Sequence, residues 1–179
     1  MAAESWLGAP PAALDRAEVL ARLARRYLAG HSPASPADLA TWAGIPLGDA
    51  RRGLDAIGEE TAVSGDGLLR LTDAPPGAAL PAPRLLGPFD PLLHGWRSRE
   101  PFVGGHGSVV TRNGIFRPVA LVEGRVVATW GLAGGIVTIR PLEPVAPAAL
   151  EALAEDALDV LAYLGLPPRP AVVDPAAPG

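Results

Sequence analysis

The chain has 179 residues, 49% of them apolar, and a formal net charge of −4, which suits one domain or two small ones around a sizeable core. Cysteine and lysine are absent, which excludes disulfide scaffolds, thiolate metal sites and lysine Schiff-base chemistry. No apolar run approaches the ~20 residues of a membrane span, and the first six residues lack the basic and apolar regions of a signal peptide, so a soluble, cytoplasmic protein without membrane partners is expected. Every charged basic side chain is an arginine, in keeping with the Gly-, Ala- and Pro-rich codon usage of a GC-rich genome. Charge is uneven: residues 1–83 carry seven Arg and ten acids, 84–140 seven Arg and three acids, and 141–179 one Arg and six acids. A basic centre of +4 therefore lies between acidic flanks of −3 and −5.

Residues 1–12 are expected to be flexible, and 13–73 to form a winged-helix domain. The first helix covers 14–29, with Leu20, Leu23, Ala24, Tyr27 and Leu28 on one apolar face. Asp15 and Glu18 near its start and Arg25 and Arg26 near its end suit the helix dipole, and Gly30 stops it. Ser35 is a good N-cap for the second helix, with Pro36 at the first position and Asp38 at the capping-box position. Leu39 and Trp42 are expected to face inward, and Gly44 ends the helix. The third helix runs from Pro46 to about Ile57, with Ala50, Leu54 and Ile57 on one side and Arg51 and Arg52 elsewhere. Gly53 should weaken it by about 1 kcal/mol relative to Ala. Thr61–Val63, the turn 64–67 and Leu68–Leu71 read as a hairpin. Three helices and a hairpin are the order of a winged helix, with the second and third helices as a helix-turn-helix and the third as recognition helix.

Residues 74–83 form a Pro-rich linker. From Arg84 the pattern changes to short strands punctuated by glycine: Leu85-Leu86, Val109–Thr111, Phe116–Val122, Arg125–Trp130 joined to its predecessor by the tight turn Glu123-Gly124, and Ile136–Leu142. Residues 84–146 are expected to make a small antiparallel sheet or open barrel. Residues 147–165 read as a C-terminal helix, buried through Leu150, Leu153, Ala154, Ala157, Leu158, Leu161 and Leu164 and solvated through Glu151, Glu155, Asp156 and Asp159. The Pro- and Ala-rich tail 166–179 is expected to be disordered. The fold class is α+β.

Several segments carry a family resemblance by their order and spacing. They are Trp6-Leu7-Gly8, Arg26-Tyr27-Leu28, Ser32 to Gly44, Leu85-Leu86-Gly87-Pro88-Phe89-Asp90, Asn113-Gly114-Ile115-Phe116 and Glu123 to Trp130. On these residues the chain resembles the C-terminal half of the bacterial winged-helix DNA-binding domain proteins of the AlkZ/YcaQ type, whose studied members are DNA glycosylases. The resemblance implies tandem winged helices followed by a β-rich domain that closes around DNA, with this chain holding the last winged helix and the β domain. It also implies excision of alkylated bases and unhooking of interstrand crosslinks by a Gln-x-Gln or Gln-x-Asp motif in the N-terminal part. The chain contains no glutamine, so that motif has no counterpart and catalysis by this chain alone is not expected. Two departures remove charge: Gly131-Leu132 follows Trp130 where the family has basic residues, and Ser98-Arg99 stands where the family has Asp-Arg.

Duplex DNA is the expected partner, with no cofactor and no metal. Arg51 and Arg52 on the third helix are candidate phosphate or base contacts, although Asp49 and Asp55 dilute their charge and an ordinary solvated face is the alternative. Arg70 on the wing is a further candidate. Arg97, Arg99, Arg112, Arg117 and Arg125 make up most of the basic centre and are candidate phosphate contacts. Asn113, in an Asn-Gly turn that would expose Arg112, marks a DNA-probing tip. Trp96 and Phe116 are candidates for stacking on bases, with core packing the competing role for Phe116 and Trp130. Asp90 is a low-ranked candidate catalytic carboxylate; between Phe89 and Pro91 it is expected to cap a turn. His94 and His106 lack a recognisable metal-ligand spacing. Gly104–Gly107 lacks the strand–loop–helix setting of a phosphate cradle. A second reading is a protein-interaction module, or a fragment whose partner supplies the N-terminal winged helices, which the acidic final helix would suit. A third is an intact glycosylase using Asp90, which requires Asp90 at the floor of an open cleft lined with arginines.

Overall fold

In the computed structural model, which describes Gly8 and residues 14–75, 79–111 and 113–174, the chain divides into two units, 1–76 and 77–179. The first begins with helix α1 (Arg16–His31), capped by the Asp15 carboxylate, which accepts from Ala17 N, and buried through Leu20, Ala24, Tyr27 and Leu28. Helix α2 (Pro36–Ala43) opens with a complete capping box. Asp38 N donates to Ser35 Oγ at 3.2 Å and Ser35 N to Asp38 Oδ2 at 2.8 Å, so two amides that the helix leaves unpaired are satisfied. Gly44, at φ 64°, closes α2 in the left-handed conformation that glycine adopts without a steric penalty. Trp42 departs from its expected inward position. It is 42% exposed and lies over the edge of the core, its ring 5.2 Å from Tyr27 and 5.4 Å from His31.

Helix α3 (Leu47–Asp55) buries Ala50, Gly53 and Leu54. Here Gly53 has a tertiary purpose that its low helix propensity conceals. A methyl group at this position would lie 2.6 Å from Leu20 O, so α1 and α3 meet backbone to side in a space only glycine fits. A one-turn 3-10 segment (Gly58–Glu60) leads into β1 (Thr61–Val63) and β2 (Leu69–Leu71), paired antiparallel with Thr61 opposite Leu71. The α1–α2 connection joins this wing, because Ala34 N donates to Leu69 O at 2.9 Å and Leu69 N to Ala34 O at 2.8 Å.

The second unit is built on five strands in the order β3 (Arg84–Leu86), β4 (Val119–Val122), β5 (Arg125–Ala133), β6 (Ile136–Pro141) and β7 (Val172–Val173). All neighbours are antiparallel except β6 and β7. Glu123-Gly124 has φ of 50° and 77°, and Gly134-Gly135 has 57° and 74°. Both are two-residue connections of the kind whose twist matches the flanking strands. A bulge in the β4–β5 pairing at Ala120/Leu121 inserts one extra residue in β5, and the consecutive side chains of Val127 and Ala128 both join the same core. That core is closed by helix α5 (Pro147–Tyr163), with Leu153, Ala157 and Leu161 against Leu85, Ala120, Val137 and Ile139. The buried Asp156 carboxylate fixes α5 to the edge strand, accepting from Leu85 N at 2.7 Å and from Arg84 at 3.1 Å.

Residues 87–118 supply a second core, in which Leu93, Val103, Val109 and Phe116 pack with Val119, Leu121 and Val126 of the strands. This segment holds a 3-10 turn (Pro91–Leu93), the short helix α4 (Glu100–Val103) and another 3-10 turn (Gly107–Val109). The strand expected over 109–111 is therefore a 3-10 turn followed by a single bridge, Val110 to Phe116, and β4 begins only at Val119. Within the stretch from 166 expected to be disordered, a short strand forms at Val172-Val173. Val172 and Val173 pair with Thr138 and Ile139, because β6 offers an open edge to a β-branched pair. Most of the expected N-terminal flexible segment lies outside the described residues.

Candidate nucleic-acid interface

On the winged helix, the two arginines of α3 differ. Arg51 is exposed, and among the described residues it has no hydrogen bond or ion pair. Arg52 donates through Nη1 to Asp49 Oδ1 at 2.7 Å, while Arg16 Nη2 approaches Asp49 Oδ2 at 2.5 Å. The Asp49 side chain is only 6% exposed and so draws two guanidiniums to itself. Arg52 is solvated, but its charge is largely answered within its own helix. Arg70, midway along β2 and opposite Ala62, is exposed and unpaired among the described residues. Arg25 is tied to Glu60 and lies 3.5 Å from Asp73. The winged helix therefore presents Arg51 and Arg70 as cations without a counterion among the described residues.

In the second unit Arg117 is exposed, its side chain without a partner among the described residues while its backbone N donates to Val109 O at 3.0 Å. Arg99 is committed internally: Nε donates to Leu93 O at 2.8 Å and the guanidinium lies 4.8 Å from the Phe116 ring centroid. Its role as a phosphate contact is thus in competition with holding the 93–99 loop closed. Arg125 is exposed and packs close to Gly104, where a methyl group would come within 3.1 Å of its Nη2. Arg97 is exposed. Asn113 is exposed at the tip of a turn closed by Gly114 N donating to Thr111 O at 2.9 Å, with Gly114 at φ 75°. Arg112 lies outside the described residues.

The remaining candidates have structural partners. Asp90 caps the 91–93 turn, accepting from Leu92 N at 2.9 Å. It borders a cavity of about 400 Å³ walled mainly by Leu80, Leu86, Leu92, Phe102 and Leu121. Arg84 also lines that wall and is paired to Asp156. Phe116 is buried and Trp130 donates its indole N–H to Leu86 O at 2.8 Å; both serve the core. Trp96 packs against Phe102 with tilted rings, centroids 4.9 Å apart. His106 Nε2 meets Glu143 at 2.8 Å, and no group of three metal-ligating side chains occurs among the described residues.

Two features escaped the sequence. The Asp49–Arg52 pair was available from its i,i+3 spacing, but the burial that makes Asp49 a clamp was not. Phe89 is 53% exposed and sits at φ 60°, a conformation costly for a bulky side chain. No local signal marks it.

A family model described as DNA glycosylase AlkZ-like matches residues 1–163. Among solved structures, the DNA glycosylase AlkZ of Streptomyces sahachiroi shares the fold, with a TM-score of 0.82 at 23% identity over 96% of this chain. The match takes in 50% of that protein, so the chain spans about half the length of the solved relative. No match was found among curated proteins. With a winged helix, a mixed sheet, a C-terminal helix and a family match over most of its length, this chain belongs to the AlkZ-like DNA glycosylase family.

Proposed function

We propose that the chain binds duplex DNA through the exposed guanidiniums of Arg51, Arg70 and Arg117, assisted by the Asn113 turn, and does not excise bases on its own. The observation that supports the reading is that these arginines face solvent without a partner among the described residues, on a fold whose solved relative is a DNA glycosylase. Arg51 sits on the recognition helix of the helix-turn-helix and Arg70 on the wing, the two elements with which such domains meet the major groove and the backbone. Three phosphate contacts give sequence-tolerant, salt-sensitive binding of modest affinity. The lack of excision follows from the absence of glutamine, on which the family motif depends, and from the turn-capping role of Asp90.

The test is fluorescence anisotropy of a labelled duplex with the purified chain over a salt series, together with incubation on a duplex carrying an alkylated base. Binding that weakens with salt, with no base release, is expected. Binding absent at low salt contradicts the DNA reading, and base release contradicts the noncatalytic one. A second reading, docking of a protein that supplies further winged helices, draws on the far end of α5, where Leu158, Tyr163 and Leu164 are exposed beside acidic side chains.

A further inference from the structure

The second unit carries an aromatic step that its core does not require. Phe89, 53% exposed, stacks on His94 with centroids 5.9 Å apart and planes 18° from parallel. His94 in turn packs on Phe116 at 4.1 Å, and the Arg99 guanidinium lies 4.8 Å from the Phe116 centroid. A left-handed φ of 60° at Phe89 is unfavourable for a phenyl-bearing residue, and such strain persists where the surroundings impose it. Burial does not explain it, because about half of the residue remains in water. The residue directly before Phe116, Ile115, is also 52% exposed and closes the Asn113 turn. The surrounding sequence, 84–140, has a net charge of +4.

We infer that Phe89 is a stacking platform for an unpaired nucleobase, backed by His94 and Phe116. The inference rests on the DNA-binding reading and adds a preference to it. An outward aromatic face supported from behind by a second and third ring, amid cationic sequence, matches how proteins hold single bases: the ring offers a π-face that any base can cover, and guanidiniums meet the flanking phosphates. The net charge of +4 over 84–140 favours a polyanion over an apolar protein segment, and a paired duplex offers no free base face to the ring.

The experiment compares two labelled duplexes of one sequence, fully paired and with a single bulged adenine, by anisotropy at fixed salt. The native chain is expected to bind the bulged duplex about tenfold more tightly. Phe89→Gly suits the left-handed backbone, which offsets the lost ring contacts with His94 and Phe116, so it should fold with a melting temperature close to the native one while binding both duplexes equally. Phe89→Leu keeps apolar bulk without the π-face and should also lose most of the preference, whereas Phe89→Trp should keep it. Equal binding of both duplexes by the native chain, or an undiminished preference in Phe89→Gly and Phe89→Leu, overturns the platform while leaving duplex binding intact. Binding to neither duplex overturns the DNA reading and the platform together.

Discussion

Replacing Gly53 by alanine sets helix propensity against packing, and the structure decides the sign. Alanine in mid-helix is favoured over glycine by about 1 kcal/mol, so the sequence alone favours stabilisation. The added methyl would lie 2.6 Å from Leu20 O and 3.0 Å from Leu20 C. These are backbone atoms, so no side-chain rotation relieves the clash; α1 must move as a body, drawing Leu20 and Ala24 from their packed positions. Overpacking costs about 1–3 kcal/mol, and a backbone clash belongs at the upper end. The net effect is a loss of about 2 kcal/mol, which in a unit of this size lowers its melting temperature by roughly 8–16 °C. Far-UV circular dichroism on heating, with urea titrations to confirm an unchanged m-value, measures it. A melting temperature at or above that of the native protein would refute the close approach of α1 and α3.

Other variants probe separate parts of the account. Asp156→Ala strips the buried Leu85 N–H of its acceptor and Arg84 of its partner, and should cost about 2–3 kcal/mol in urea titrations, with Asp156→Asn intermediate. Burial, and secondarily the Asp38 charge, raise the Tyr27 pKa above its ordinary value, so the folded state keeps the phenol protonated after the unfolded chain ionises. That contribution is complete below about pH 10 and is lost as pH rises beyond it, at up to about 1.4 kcal/mol per pH unit. Tyr27→Phe should flatten this alkaline limb of a stability–pH curve. Asp49→Asn weakens the clamp on Arg52 and should steepen the slope of log affinity against log salt by about 0.9, the increment of one further phosphate contact.

Local chemistry was the legible part of the fold. Ser35, Pro36 and Asp38 announced the start of α2 because a capping box is completed within four residues, and Glu123-Gly124 announced a tight turn for the same reason. Tertiary purpose was not legible. Gly53 looked like a weak point because its neighbour Leu20 is distant in sequence. Val109–Thr111 has the composition of a strand, but a turn and a single bridge satisfy its backbone. Val172-Val173 were hidden among prolines and find order only on the edge of β6. At the candidate site, arginines could be named from the sequence, but not sorted. Whether a guanidinium faces solvent, as for Arg51 and Arg117, or answers an internal acceptor, as for Arg52 and Arg99, depends on where Asp49 and Leu93 O fall in space.

The most direct test of the central claim is the salt dependence of duplex binding by the native chain and by Arg51→Glu/Arg70→Glu/Arg117→Glu. Arg169, whose Nη1 bonds Gly134 O at 3.2 Å, provides the charge-reversal control. Three phosphate contacts give a log–log slope of about −2.7 for the native chain. The triple variant should fall to a slope near zero with little measurable affinity, and Arg169→Glu should keep most of the native slope. A triple variant that binds with the native affinity and slope would contradict the assignment of these arginines as the DNA-contacting surface.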